Sequence, residues 1–264
     1  MSMKRMICFT LAAALLLACT GCRTHGMPEP KAPFDGINDY LDWAYEEGYP
    51  SGALTDDGPE GLNQDRFFTR PGMPGYDSGR IVVGDSRCVQ LGIYEQRAGA
   101  GEYAVFAAWG GHYVSAEPYL PTEDFYSAVE ACFEKQIETR GECAIFFFAT
   151  VNDYDPSGEY NGEYAAAAIA CAEKLASMRY EFKGREYAPK MTVIGIAGAS
   201  WDGYNDFIGE YNSLLYDGVR SSSALAEAGF TTVPLLTRQE TGFINDGLHY
   251  DDKTLKILAE YIIQ

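Results

Sequence analysis

The chain has 264 residues, 47% of them hydrophobic and 14% aromatic, and 38 acidic against 20 basic side chains give a formal charge of −18. Binding a phosphate backbone needs a basic face, so this balance excludes nucleic acid as a partner and describes a soluble, mutually repelling surface. Three histidines, and no CxxC pair among the body cysteines Cys88, Cys132, Cys143 and Cys171, make a poor ligand set, so no metal or other cofactor is expected.

At the N-terminus, Lys4 and Arg5 precede an apolar run from Ile7 to Leu17, and Ala18, Cys19 and Cys22 follow. The run is shorter than the roughly 20 apolar residues a membrane span needs, so residues 1–18 are expected to be an export signal. The stretch LLACTGC resembles a bacterial lipobox. Cys19, with Leu16 three places before it, fits lipidation better than Cys22, which stays open. Residues 19–31, with Gly26, Pro28 and Pro30, suit a lipidated tether. The expected location is outside the cytoplasm, lipid-anchored at a bacterial membrane or envelope.

Residues 32–79 are rich in Gly, Pro, Asp and aromatics, with one short helical candidate around Tyr40 to Tyr45. An irregular extension packed on the domain is expected there, with no chemistry of its own. From residue 80 the pattern changes. Apolar segments at 80–84, 103–109, 143–150, 191–197 and 231–236 are short and nearly continuous in apolarity, as strands buried on both faces of a parallel sheet are. Amphipathic or alanine-rich helical patterns lie between them. Phe125, Val129, Cys132 and Phe133 share one face after Pro121, and Tyr164 to Met178 is alanine-rich. Phe207, Ile208, Tyr211, Leu214 and Leu215 form another stripe, and Leu255, Leu258 and Ile262 follow the acids Asp251 and Asp252. This alternation predicts an α/β, three-layer doubly wound (flavodoxin-like) domain over 80–264, with a five-stranded, mainly parallel sheet.

Ligands of such sheets bind beyond the carboxyl ends of the strands, where strand order reverses. The first strand delivers Gly84, Asp85 and Ser86 to that edge, with glycine permitting a tight turn. The second delivers Trp109, Gly110 and Gly111, the third Asn152 and Asp153, and the last loop Asp246 and His249. Each alone has a plain explanation as a turn or a helix cap. Together they supply a nucleophile, a base, an acid to orient the base, and donors for an oxyanion, which are the parts needed for acyl transfer. His249 is the expected general base for Ser86, and Asp246, three residues earlier, its orienting partner. The N–H groups of Ser86 and Gly110 and the amide of Asn152 are candidate oxyanion donors.

Four ordered blocks then carry a family resemblance. GDSR at 84–87, WGG at 109–111, TVND at 150–153 and DGLH at 246–249 resemble the blocks of the SGNH, or GDSL, hydrolase superfamily, and the likeness runs from about residue 80 to the end. Arg87 stands where the family's name has leucine, as in a bacterial subgroup with GDSR and DGLHY, and Thr150 where the third block usually has glycine. The resemblance implies an esterase with an acyl-serine intermediate, acting on a small ester or an O-acylated, most often O-acetylated, extracellular or cell-wall glycan. Trp109, His112, Tyr113, Trp201 and Tyr204 are available to line its cleft. A glycan O-acyltransferase with the same triad, and a non-catalytic glycan-binding lipoprotein on the same scaffold, are the alternatives.

Overall fold

The computed structural model describes residues 34–47, 54–56, 65–108, 123–153, 155, 157–198, 208–232 and 241–264. The export signal, the tether with Cys19 and Cys22, and the aromatic set Trp109, His112, Tyr113, Trp201 and Tyr204 lie outside these residues, as does Gly110.

Short runs such as Ile81, Val82, Val83 and Ile145 to Phe148 have no polar face to turn to water, so the stable place for them is the middle of a sheet covered on both sides. That is where they lie. β1 (Leu54–Asp56), β2 (Asp65–Phe68), β3 (Arg80–Gly84), β4 (Ala104–Ala108), β5 (Ala144–Phe148), β8 (Lys190–Gly195) and β9 (Gly229–Thr232) form one sheet in the order β1-β2-β4-β3-β5-β8-β9. From β4 to β9 every pairing is parallel. Counted among themselves in chain order, these five strands run 2-1-3-4-5, the flavodoxin-like order. A separate hairpin, β6 (Tyr180–Phe182) with β7 (Arg185–Tyr187), stands apart from the sheet.

Helices cover both faces. α2 (Ser86–Ala98) and α6 (Asp252–Ile263) contact each other on one face, and the Tyr261 ring of α6 meets Phe146. On the other, α3 (Glu123–Arg140), α4 (Asn161–Ala176) and α5 (Ile208–Ser221) bury Phe125, Val129, Phe133, Leu175, Tyr211 and Leu215 against Ile81, Val83, Ile145, Phe147 and Val193. The alternation of Ile81 and Val83 toward this cluster follows from the two-residue period of a strand.

The sheet is wider than the five strands expected, because residues 54–56 and 65–68, expected to lie in an irregular extension, pair as strands. β2 pairs antiparallel with β4, and β1 with β2. Phe67 of β2 is buried against Gly92 of α2, where an added Cβ would come within 2.7 Å of the ring, so α2 needs glycine at this crossing. Thr69 extends the pairing: its N–H donates to the Val105 carbonyl (2.9 Å) and its hydroxyl accepts from the Val105 N–H (2.8 Å). The same segment holds α1 (Ile37–Glu46), whose Tyr40 and Trp43 cluster with Phe34 at centroid distances of 5.1–5.5 Å. Cys88, Cys132, Cys143 and Cys171 are buried free thiols, and burial pushes each of them up. Among the described residues, no helix is long and apolar enough to cross a membrane.

Candidate active site

The polar residues at the carboxyl edge converge on the switch point between β3 and β5. β3 ends at Gly84, and the reason is space rather than a turn that only glycine can make. Its φ is not in the left-handed region, but an added Cβ would sit 2.4 Å from Cys88 Sγ and 3.0 Å from Phe148 Cβ. Asp85 follows as the N-cap of α2. Its Oδ1 accepts from the Arg87 N–H at 3.1 Å, and its carbonyl accepts from Cys88 and Val89. Its Oδ2 accepts from the Val151 N–H at 2.9 Å, tying the turn after β3 to the turn after β5 across the switch point. Asp85 is buried, and that burial raises its carboxyl above the ordinary aspartate range. The Arg87 guanidinium and the N–H groups of Val151 and Arg87 oppose the rise, as does His249 whenever its ring is protonated.

Ser86 is therefore the first residue of α2, 3% exposed, at a helix N-terminus where the first N–H groups have no intrahelical acceptor. Its hydroxyl lies 2.8 Å from His249 Nε2, and His249 Nδ1 lies 2.7 Å from Asp246 Oδ2. An ionised Asp246 can only accept, so the neutral ring carries its proton on Nδ1 and leaves Nε2 to accept from the serine.

The loop holding His249 folds on itself in small steps. The Gly247 N–H donates to the Ile244 carbonyl with glycine at φ 68°, the Ile244 N–H donates to the His249 carbonyl, and Phe243 bridges Tyr250. Asp246 Oδ1 accepts from the N–H groups of Leu248 and His249, both at 2.9 Å. Burial pushes the Asp246 carboxyl up, yet the hydrogen bonds from the His249 ring and N–H outweigh it and hold the group below the usual range. Asp246 is thus kept as an anion facing an imidazole.

Asn152 lies in a single 3₁₀ turn, Val151–Asp153, directly after Val151, whose N–H is bound by Asp85. Thr150 has a use there. Buried Thr150 Oγ1 accepts from the N–H groups of Asn152 (3.0 Å) and Asp153 (3.2 Å) and so caps the turn. Ser86, Asp246 and His249 are brought together, and Asn152 stands in the neighbouring turn. Gly110 is outside the described residues, so its part in an oxyanion site stays an expectation.

Several residues that build this arrangement were not anticipated. Gln90 donates from Nε2 to the Tyr250 carbonyl (3.1 Å) and accepts the Tyr250 N–H (2.9 Å). The Asn245 N–H donates to the Phe34 carbonyl (3.0 Å) and its amide to Asp35 Oδ1 (3.1 Å), so the segment ahead of α1 braces the loop beside Asp246. Gln90, four residues after Ser86 on a helix, could have been found as a polar residue on the same face. The Phe34–Asn245 link had no local signal.

No protein-family model matches this sequence, and no curated protein matches it. Solved structures similar to it include a native aryl esterase from M. Smegmatis, at TM-score 0.49 and 14% identity, covering 70% of this chain and 96% of that one. Another is Est24, a carbohydrate acetylesterase from Sinorhizobium meliloti, at TM-score 0.48 and 15% identity, with the same coverages of 70% and 96%. With TM-scores below 0.5 and identities of this size, these likenesses assign neither family nor activity to the chain.

Proposed function

We propose that this chain is a serine esterase of the SGNH type, hydrolysing O-acyl esters through an acyl-serine intermediate. One observation carries the reading: Ser86, His249 and Asp246 stand in one hydrogen-bonded series, with links of 2.8 and 2.7 Å, where the strand order reverses. A serine used only as a helix cap would not need a histidine on its hydroxyl, nor that histidine an ionised acid behind it.

In the proposed reaction, Ser86 Oγ bonds to the ester carbonyl carbon as its proton passes to His249 Nε2. Asp246 stays ionised and steadies the imidazolium. The carbonyl electron pair moves onto oxygen, where the donors proposed are the Ser86 N–H and, from the resemblance, the Gly110 N–H and the Asn152 amide. Collapse breaks the bond to the alcohol, which leaves with the proton from Nε2. Water then attacks the acyl-serine with the same histidine as base, releasing the carboxylic acid and restoring Ser86. The substrate class proposed is an O-acetyl ester on an extracellular glycan, on the strength of the resemblance and of the export signal read in residues 1–18.

The test is release of p-nitrophenol from p-nitrophenyl acetate, with mass spectrometry for an acyl adduct. Ser86→Ala should lose the adduct and lower turnover by about 1000-fold or more while leaving the circular dichroism unchanged. Undiminished turnover in that variant would sink the reading.

A further inference from the structure

The histidine loop carries the base, and α2, the helix that begins at Ser86, grips that loop on both sides of His249. Ser86, Arg87 and Gln90 occupy positions i, i+1 and i+4 of one helix, and the last two grip the residues on either side of His249. Arg87 Nε donates to the Leu248 carbonyl at 3.0 Å, and its guanidinium carbon lies 4.6 Å from the centroid of the Tyr250 ring. Gln90 holds the Tyr250 backbone at both its N–H and its carbonyl.

The remaining guanidinium donors reach a third element. Nη1 donates to the Ala197 carbonyl (3.2 Å) and Nη2 to the Gly198 carbonyl (3.3 Å), just past the end of β8. That stretch is itself fixed: Asn212 of α5 accepts from the Ile196 N–H at 2.8 Å and donates to the Ile196 carbonyl at 3.0 Å. Arg87 is 4% exposed, so these carbonyls are its partners in place of water. A planar fork can address three carbonyls from two segments at once, and a lysine or leucine here cannot.

We propose that Arg87 is a positioning residue. It locks the Leu248–Tyr250 segment to the helix that begins at Ser86, so that the 2.8 Å contact between Ser86 Oγ and His249 Nε2 is held by one rigid body. The inference rests on reading Ser86, His249 and Asp246 as a hydrolytic relay, and it assigns a role to the position at which this chain departs from the leucine of the family's name. Arg87 touches no reacting atom. Its effect belongs in kcat, because a misplacement of about 1 Å in a reacting pair costs on the order of 100-fold.

The test combines kinetics with a signal that needs no turnover. In ¹H NMR of ¹⁵N-labelled protein, the His249 Nδ1–H bound to Asp246 gives a far-downfield resonance, assigned by its loss in His249→Gln. Arg87→Met keeps a long side chain over Tyr250 but removes every donor. It should lower kcat on p-nitrophenyl acetate by about 10- to 100-fold with KM changed less than about 3-fold, and should broaden or shift the downfield resonance. Arg87→Lys should fall between Met and wild type. Wild-type kcat together with an unmoved resonance in Arg87→Met overturns the proposal, and if that variant does not fold, Arg87→Lys is read by the same criterion. A wild-type protein that shows the resonance but no ester turnover refutes the hydrolytic reading instead, and the resonance alone then decides on Arg87.

Discussion

Asp85 sits between the two turns that meet at the switch point, and its single carboxylate serves both: Oδ1 caps α2 and Oδ2 holds the Val151 N–H. Its burial raises its carboxyl, with Arg87, the Val151 N–H and, whenever its ring is protonated, His249 opposing. The folded protein therefore binds a proton at Asp85 more readily than the unfolded chain does. By linkage, Asp85 costs stability once it is ionised, and that cost grows as pH rises from the unfolded value of about 3.9 through the raised folded one. Asp85→Asn removes this titration. Urea midpoints taken from about pH 3.5 to pH 7 should show wild type losing ground to Asp85→Asn as pH rises, and a gap that is flat or widens the other way would contradict the assignment. At this scale the sequence was legible where chemistry is strict. A serine, a histidine and an acid three residues before it can be named from type and spacing, whereas the bridging use of Asp85 depends on which strand neighbours β3.

The junction of β3 and α2 is where an element's geometry becomes the site's geometry. Gly84 lets the helix approach the strand so closely that Cys88 Sγ and Phe148 Cβ fill the place of its side chain. Gly84→Ala should cost about 1–3 kcal/mol of unfolding free energy by overpacking and should push the start of α2, and Ser86 with it, off its line to His249. Combining it with Cys88→Ala, which removes the closest atom, should restore part of the loss. A double-mutant cycle with no coupling would show that the contact with Cys88 is not what makes glycine necessary. Four of the five parallel strands were legible at their places because their runs are nearly continuous in apolarity. The fifth was expected at 231–236, but β9 is Gly229–Thr232, a run of GFTT with Gly229 exposed that only the free edge of β8 makes a strand. β1 and β2 were not legible either, since DRFF and LTD are too short and too polar to show a period, and only the free edge of β4 makes strands of them.

At the scale of the whole molecule, the segment ahead of the α/β repeat is part of the same body. Arg97 at the end of α2 forms a two-pronged ion pair with Asp252 at the start of α6, at 2.8 and 3.0 Å, and its guanidinium lies 4.8 Å from the Trp43 ring centroid. The α1 aromatics thereby close over the point where two helices of one layer meet, while Phe34 and Asp35 brace Asn245 next to the acid of the histidine loop. Trp43→Ala should lower stability by about 3–5 kcal/mol, read as a shifted urea midpoint; a shift worth less than about 0.5 kcal/mol would show α1 to be a loosely attached appendage. By itself the sequence determined the layer architecture, four of the five parallel strands and the edge at which chemistry gathers, because apolar periodicity and turn residues are local signals. Only the tertiary structure decided how far Ser86 stands from His249, what Arg87 is for, and that residues 37–46, 54–56 and 65–68 belong to the sheet and its cover. The first two depend on contacts between residues as many as 163 positions apart, which folding brings together and no local pattern encodes.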